Sequence, residues 1–202
     1  MTNRRKKAIF IAIEGPHGAG KTTVARSVVR ALAKDEMKPI YTKEPFSNNL
    51  RGLIHRFSTF SNVNPTALAL LVAADRSLHT AAIERWLRAG ETVVSDRYTL
   101  SSYVYQRIDG VSEEFVDLIN REAYSPDLTI LLMAPLKLRI GRLKKKLRSK
   151  SADRFLTRRA FNLEQRLYSA IARSGASRLQ ILDASRPAED LVRDALEVIS
   201  KL

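Results

Sequence analysis

Cysteine is absent from the sequence, so neither a disulfide framework nor a thiolate metal site is possible. No apolar stretch is long enough to span a bilayer. The run near the start, Ala8 to Ile13, is too short for the hydrophobic segment of a secretory signal and ends at a charged Glu14. Internal repeats and low-complexity linkers are also missing. These absences lead to the expectation of a cytoplasmic protein with no membrane partner. With 202 residues, 45% of them hydrophobic, the chain can build a full core, which excludes disorder and suits one α/β domain over residues 1–202.

Acidic residues are scarce in one place. The net charge is +14, and residues 136–159 hold eleven Lys or Arg against a single acid, Asp153. Residues 1–7 form a basic tail with four more cations, and the rest of the chain is neutral overall. Such a segment seeks phosphates, on nucleotides or on nucleic acid. It contains no aromatic residue but Phe155, so a base-stacking platform is lacking and nucleic acid is not the expected partner.

Apolar strand-like runs alternate with helical patterns throughout. Ala8 to Ile13 reads as a strand buried on both faces, and Pro39–Thr42, Glu91–Ser95, Asp127–Met133 and Arg178–Leu182 read as four more. Between them, helical spacing predicts helices from Lys21 to about Lys34, Leu50 to about Phe60, Pro65 to Arg88, from Ser112 or Glu113, from Pro135, and from Pro187 to Leu202. The pattern predicts a five-stranded parallel sheet with helices on both faces and ligands beyond the carboxyl ends of the strands.

The strongest motif lies just after the first strand. Gly15-Pro16-His17-Gly18-Ala19-Gly20-Lys21-Thr22 fits G-x-x-x-x-G-K-[ST] in full, with Thr23 following. Glycines let backbone N–H groups turn inward around an anion, and the following helix adds its positive end. Lys21 can reach the β- and γ-phosphates of ATP, and the Thr22 hydroxyl can ligate Mg²⁺. A P-loop NTPase fold follows from a motif in this context. Asp96, at a strand end, is the candidate second Mg²⁺ ligand, with a helix N-cap as its plain alternative.

Further blocks narrow the class. They are Lys43-Glu44-Pro45, Ala73-Ala74-Asp75-Arg76, Asp96-Arg97-Tyr98, Ser101-Ser102-Tyr103-Val104-Tyr105-Gln106 and Asp153-Arg154-Phe155. In this order the chain resembles the thymidylate kinase family, in the bacterial or archaeal form with a basic lid, from Ile9 to Ser185. The resemblance implies ATP and Mg²⁺, dTMP as acceptor, and a homodimer formed through helix faces such as that of residues 65–88. It implies catalytic roles for Lys21, Arg97 and Arg154, with a helical lid over about 136–159. Arg142 is a further lid candidate, and Arg186 is expected beside the adenine. On the acceptor side it implies His17, Glu44, Pro45, Arg51, Val72, Arg76, Arg97, Ser102, Tyr105 and Gln106. Arg51 and Arg76 have solvated or snorkelling alternatives, and most lid cations are expected to face solvent.

Three positions differ from the family pattern. His17 replaces a carboxylate, Val72 replaces an aromatic residue, and Met133 replaces an acid. The loop also lacks an arginine, which leaves the lid to supply that charge. A kinase for another deoxynucleotide is the first alternative, and a nucleic-acid-binding P-loop ATPase is the second.

Overall fold

The computed structural model describes residues 7–35, 38–59, 63–146 and 157–202. Its five strands are β1 (Phe10–Glu14), β2 (Pro39–Lys43), β3 (Thr92–Asp96), β4 (Leu128–Met133) and β5 (Leu179–Asp183). They form one parallel sheet in the order β2-β3-β1-β4-β5. The helices are α1 (Lys21–Leu32), α2 (Asn48–Thr59), α3 (Pro65–Arg88), α4 (Thr99–Ile108), α5 (Glu113–Asn120), α6 (Leu136–Lys146), α7 (Arg158–Arg173) and α8 (Ala188–Ile199).

Strand β1 sits in the middle because every side chain on it is apolar up to Glu14, so both faces can be covered. Ile9, Ile11 and Ile13 pack with Val24 and Val28 of α1 and Leu191 and Ala195 of α8. Phe10 and Ala12 point the other way, onto Ile83 of α3 and Tyr98. Beyond β1 the chain order reverses, β3 on one side and β4 on the other, which opens a crevice at the carboxyl ends. The glycine-rich loop occupies that crevice.

Two helices differ from the sequence expectation. Helix α4 is rich in Ser, Thr, Tyr and Val, residues of weak helix propensity. Burial decides instead, since Ser101, Ser102, Val104 and Gln106 all face inward. Of the basic segment expected as a lid over about 136–159, the described residues form α6 and the start of α7. Residues 147–156, which include Asp153 and Arg154, lie outside the described residues. Helix α7 is capped by the Thr157 hydroxyl, which accepts from Ala160 N at 3.1 Å, and buries Ala160, Phe161, Glu164 and Tyr168 on one face. The expectation that the basic helix is mostly solvated fails at Arg139, which is 0% exposed.

Candidate active site

The loop after β1 uses glycine where backbone geometry demands it. Gly15 and Gly18 adopt φ of +139° and +78°. A Cβ on Gly15 would sit 2.4 Å from the Leu132 carbonyl oxygen, and one on Gly18 would sit 2.7 Å from that of Arg139. The loop is thus pressed between β4 and α6. Gly20, also at positive φ, caps α1, whose N-terminus aims at the loop. Lys21 Nζ donates to the carbonyl oxygens of Gly15 at 2.7 Å and Pro16 at 2.9 Å. Burial, and then the Arg97 guanidinium, push its ammonium down to about 7, against the pull of Asp96, Glu14 and Glu164.

A cavity of about 450 Å³ opens over this loop, lined by residues 17–24 together with Asp96, Arg97, Arg142 and Arg186. Arg142 donates to the Ala184 carbonyl oxygen at 2.9 Å, and Arg186 pairs with Asp194 at 2.5 Å. Thr22 Oγ1 donates to Asp96 Oδ2 at 2.5 Å, while Asp96 Oδ1 is buried with no hydrogen-bond partner among the described residues. An orphaned carboxylate oxygen beside a hydroxyl is a hard-oxygen donor set. It suits Mg²⁺, which takes one or two protein oxygens and fills its octahedron with water and phosphate. Asp96 is not the N-cap of α4; Tyr98 holds that position.

A second cavity, of about 690 Å³, lies beside the first. All ten residues expected on the acceptor side line it, although they come from the glycine-rich loop, β2's end, α2, α3, the β3–α4 turn and α4. Glu44 and Arg76 form a buried two-pronged ion pair at its base. Arg76 also donates to Ser102 Oγ at 2.7 Å, Asn120 Oδ1 at 2.5 Å and the Tyr98 carbonyl oxygen at 3.2 Å. Five acceptors meet five guanidinium hydrogens, so the side chain is neither snorkelling nor solvated. Burial pushes the Glu44 carboxyl up, but Arg76 and His79 outweigh it and hold the group below its ordinary value.

Asp75 accepts from the Phe46 and Ser47 amides at 2.6 and 2.8 Å, which fixes the loop after Pro45. Arg51 closes that loop from the other side, donating to the carbonyl oxygens of Pro45 and Phe46 at 3.0 Å each. Val72 lines the wall half-buried. Gln106 is buried, and its Oε1 has no partner among the described residues.

His17 and Arg97 line both cavities. Arg97 is held at φ +78°, unusual for a side chain with a Cβ and costing on the order of 1–3 kcal/mol. Its N–H donates to the Ile13 carbonyl oxygen at 3.0 Å, and its own carbonyl oxygen accepts from Ser95 Oγ at 2.7 Å. The buried Glu14 accepts from Tyr98 N at 2.8 Å, Ser101 N at 3.0 Å and Ser101 Oγ at 2.7 Å, which anchors the start of α4 beside it. The guanidinium stacks over Tyr105, 5.3 Å from the ring centre.

Three buried charges near this junction escaped the sequence reading: Glu14, Arg139 and Glu164. Glu164 stands on the otherwise apolar face of α7, four residues from Ala160 and from Tyr168. An acid on the apolar stripe of an amphipathic helix is the signal a helical projection carries.

The thymidylate kinase family model matches residues 13–195. A probable thymidylate kinase 1 of Saccharolobus solfataricus is 32% identical over 200 residues, covering 95% of this chain and 97% of the relative. A probable thymidylate kinase of Pyrobaculum aerophilum is 34% identical over 196 residues, covering 96% and 97%. One of Methanocaldococcus jannaschii reaches 43% over 140 residues, covering 68% of this chain and 71% of its own.

Proposed function

The chain belongs to the thymidylate kinase family, and from that premise we propose how its residues divide the work of phosphorylating dTMP with ATP. It transfers the γ-phosphoryl group of ATP to dTMP, giving dTDP and ADP. One observation carries the division of labour. The cavity over the glycine-rich loop and the cavity between α2, α3 and α4 share only His17 and Arg97 as wall residues. The first cavity takes the triphosphate, the second takes the monophosphate, and the reacting phosphates meet at the shared wall.

An oxygen of the acceptor phosphate forms the new bond to the γ-phosphorus as the bond to the β–γ bridging oxygen breaks, and ADP leaves with the electron pair. This loose in-line displacement needs placement and charge neutralisation more than proton transfer. Lys21 leaves its two carbonyl partners for the β- and γ-phosphates. Arg97 bridges donor and acceptor, held rigidly by its backbone and by Tyr105. Thr22 and Asp96 would hold Mg²⁺, which would supply neutralisation of charge on the phosphate oxygens. Arg142 and Arg186 line the donor side. Arg154, outside the described residues, is assigned to the closing lid on resemblance alone.

Arg51 meets the acceptor phosphate, and Ser102, Gln106 and Val72 meet the base, with the orphaned Gln106 Oε1 as a ready acceptor. Arg76 spends its donors on protein partners, so it acts by fixing Glu44 and Ser102. Tyr105 fills the space a ribose 2′-hydroxyl would need.

Among the described residues no helix is long and apolar enough to cross a membrane. We place the protein in the cytoplasm, as one kinase domain that pairs with a second copy through α3, where Leu70 and Leu78 stand exposed. The acceptor reading is tested by comparing dTMP, dUMP, dCMP and dGMP with ATP and Mg²⁺. dTMP is expected to give the highest kcat/KM, and a rate no better than the others sinks the assignment.

A further inference from the structure

Glu164 lines neither cavity, yet it touches the wall of both. Its Oε1 accepts from the His17 backbone N–H at 2.8 Å and from the Tyr105 hydroxyl at 2.7 Å, and lies 2.7 Å from His17 Nδ1. An ionised carboxylate can only accept, so the imidazole carries its proton on Nδ1. Oε2 accepts from Arg139 Nη1 at 2.7 Å. Arg139 returns to the same loop residue, donating to the His17 carbonyl oxygen at 3.0 Å, and its other amino group donates to Gln165 at 2.9 Å. Glu164 and Arg139 are 2% and 0% exposed.

One buried ion pair therefore grips His17 by its N–H, its carbonyl and its ring. Loop amides in such a motif ordinarily face the phosphates; this one is turned onto a side chain of α7. The same carboxylate holds the hydroxyl of Tyr105, whose ring carries the Arg97 guanidinium. Stability alone does not call for this arrangement, since well-packed apolar residues commonly serve as well as a buried pair.

We propose that Glu164 is a positioning residue for phosphoryl transfer, which sets His17 and Tyr105 relative to each other and so fixes the wall common to donor and acceptor. The proposal rests on the kinase reading above. Arg139 completes it by tying that wall to α6, whose backbone already presses on Gly18.

The test compares Glu164→Gln, Glu164→Asp and the double variant Arg139→Leu/Glu164→Gln, using whichever monophosphate the wild type turns over fastest. A wrong acceptor assignment then shows in the wild-type panel and leaves this comparison intact. The double variant removes both buried charges together, so its folding is preserved where the single Gln variant would strand Arg139. It is expected to lose at least about thirtyfold in kcat, because the shared wall is no longer held where the transition state needs it. The Kd values for ATP and for the acceptor, each measured alone by calorimetry, should move by less than about threefold. Glu164→Asp keeps the charge but draws it back, and should fall between. A double variant with kcat within about threefold of wild type overturns the proposal. So does a single Gln variant whose loss merely tracks its unfolded fraction.

Discussion

Replacing Arg76 with Met would remove the cation from beneath the acceptor cavity while keeping much of its volume. Glu44 is 9% exposed and Arg76 is 2% exposed, so the carboxylate would be left buried with only His79 Nδ1, at 3.1 Å, as a strong donor. Ser102, Asn120 and the Tyr98 carbonyl would lose their shared donor as well. Breaking one side of a buried pair costs about 3–5 kcal/mol. In a chain of 202 residues this lowers Tm by roughly 10 °C. The pH dependence carries a sharper sign. In the wild type Glu44 titrates below its ordinary value, so its contribution is present above the unfolded carboxylate range near 4.5 and is lost as pH falls through the folded value. Without Arg76, burial dominates and the group titrates above that range. The variant then bears a penalty that grows with pH, at up to about 1.4 kcal/mol per unit, until the raised value is passed. Urea unfolding at pH 5, 6, 7 and 8 should show the gap between wild type and variant narrowing on acidification. Adding Glu44→Leu should recover at least half of the loss at pH 7. A gap below about 1 kcal/mol at pH 7, or one that widens towards pH 5, refutes the reasoning.

Gly18→Ala should cost more in ATP affinity than in folding, because its Cβ would meet the Arg139 carbonyl oxygen at 2.7 Å and push the loop away from α6; calorimetric ATP titration beside a thermal melt separates the two. Leu78→Lys, at a position 53% exposed on α3, should convert a dimer to monomer by sedimentation, and at dilutions where the wild type is also monomeric its stability should lie within about 0.5 kcal/mol of wild type; an unchanged sedimentation profile removes α3 as the pairing face.

The glycine-rich loop was legible in the sequence because everything it needs is local. Its glycines, its lysine and the two elements around it lie within residues 8–34. The ten residues that the resemblance put on the acceptor side do line one cavity, the one we propose for the monophosphate. What each does was less so. Arg76 is expected on the acceptor side or snorkelling to solvent, and no local pattern shows that Glu44, Ser102, Asn120 and Tyr98, between 22 and 44 residues away, occupy its donors. Helix α4 was hidden for the opposite reason, since propensity argues against it and only burial supports it.

The basic segment shows how charge counting along a chain misleads. Summed over residues 136–159, it predicts a field that attracts phosphate. A sum says nothing of where each cation goes. Arg139 sits one residue before Ile140, within reach of the buried face of α6, and Glu164 is the acid available on α7. Together they bury a charge pair instead of a phosphate contact. The carboxylate that the loop lacks at residue 17 is therefore present in space. It is supplied from 147 residues further along, bound to the backbone N–H and the ring of the histidine that stands in its place. A substitution inside a motif is best weighed by what the fold brings against that position, because the motif records only the residues that neighbour it in sequence.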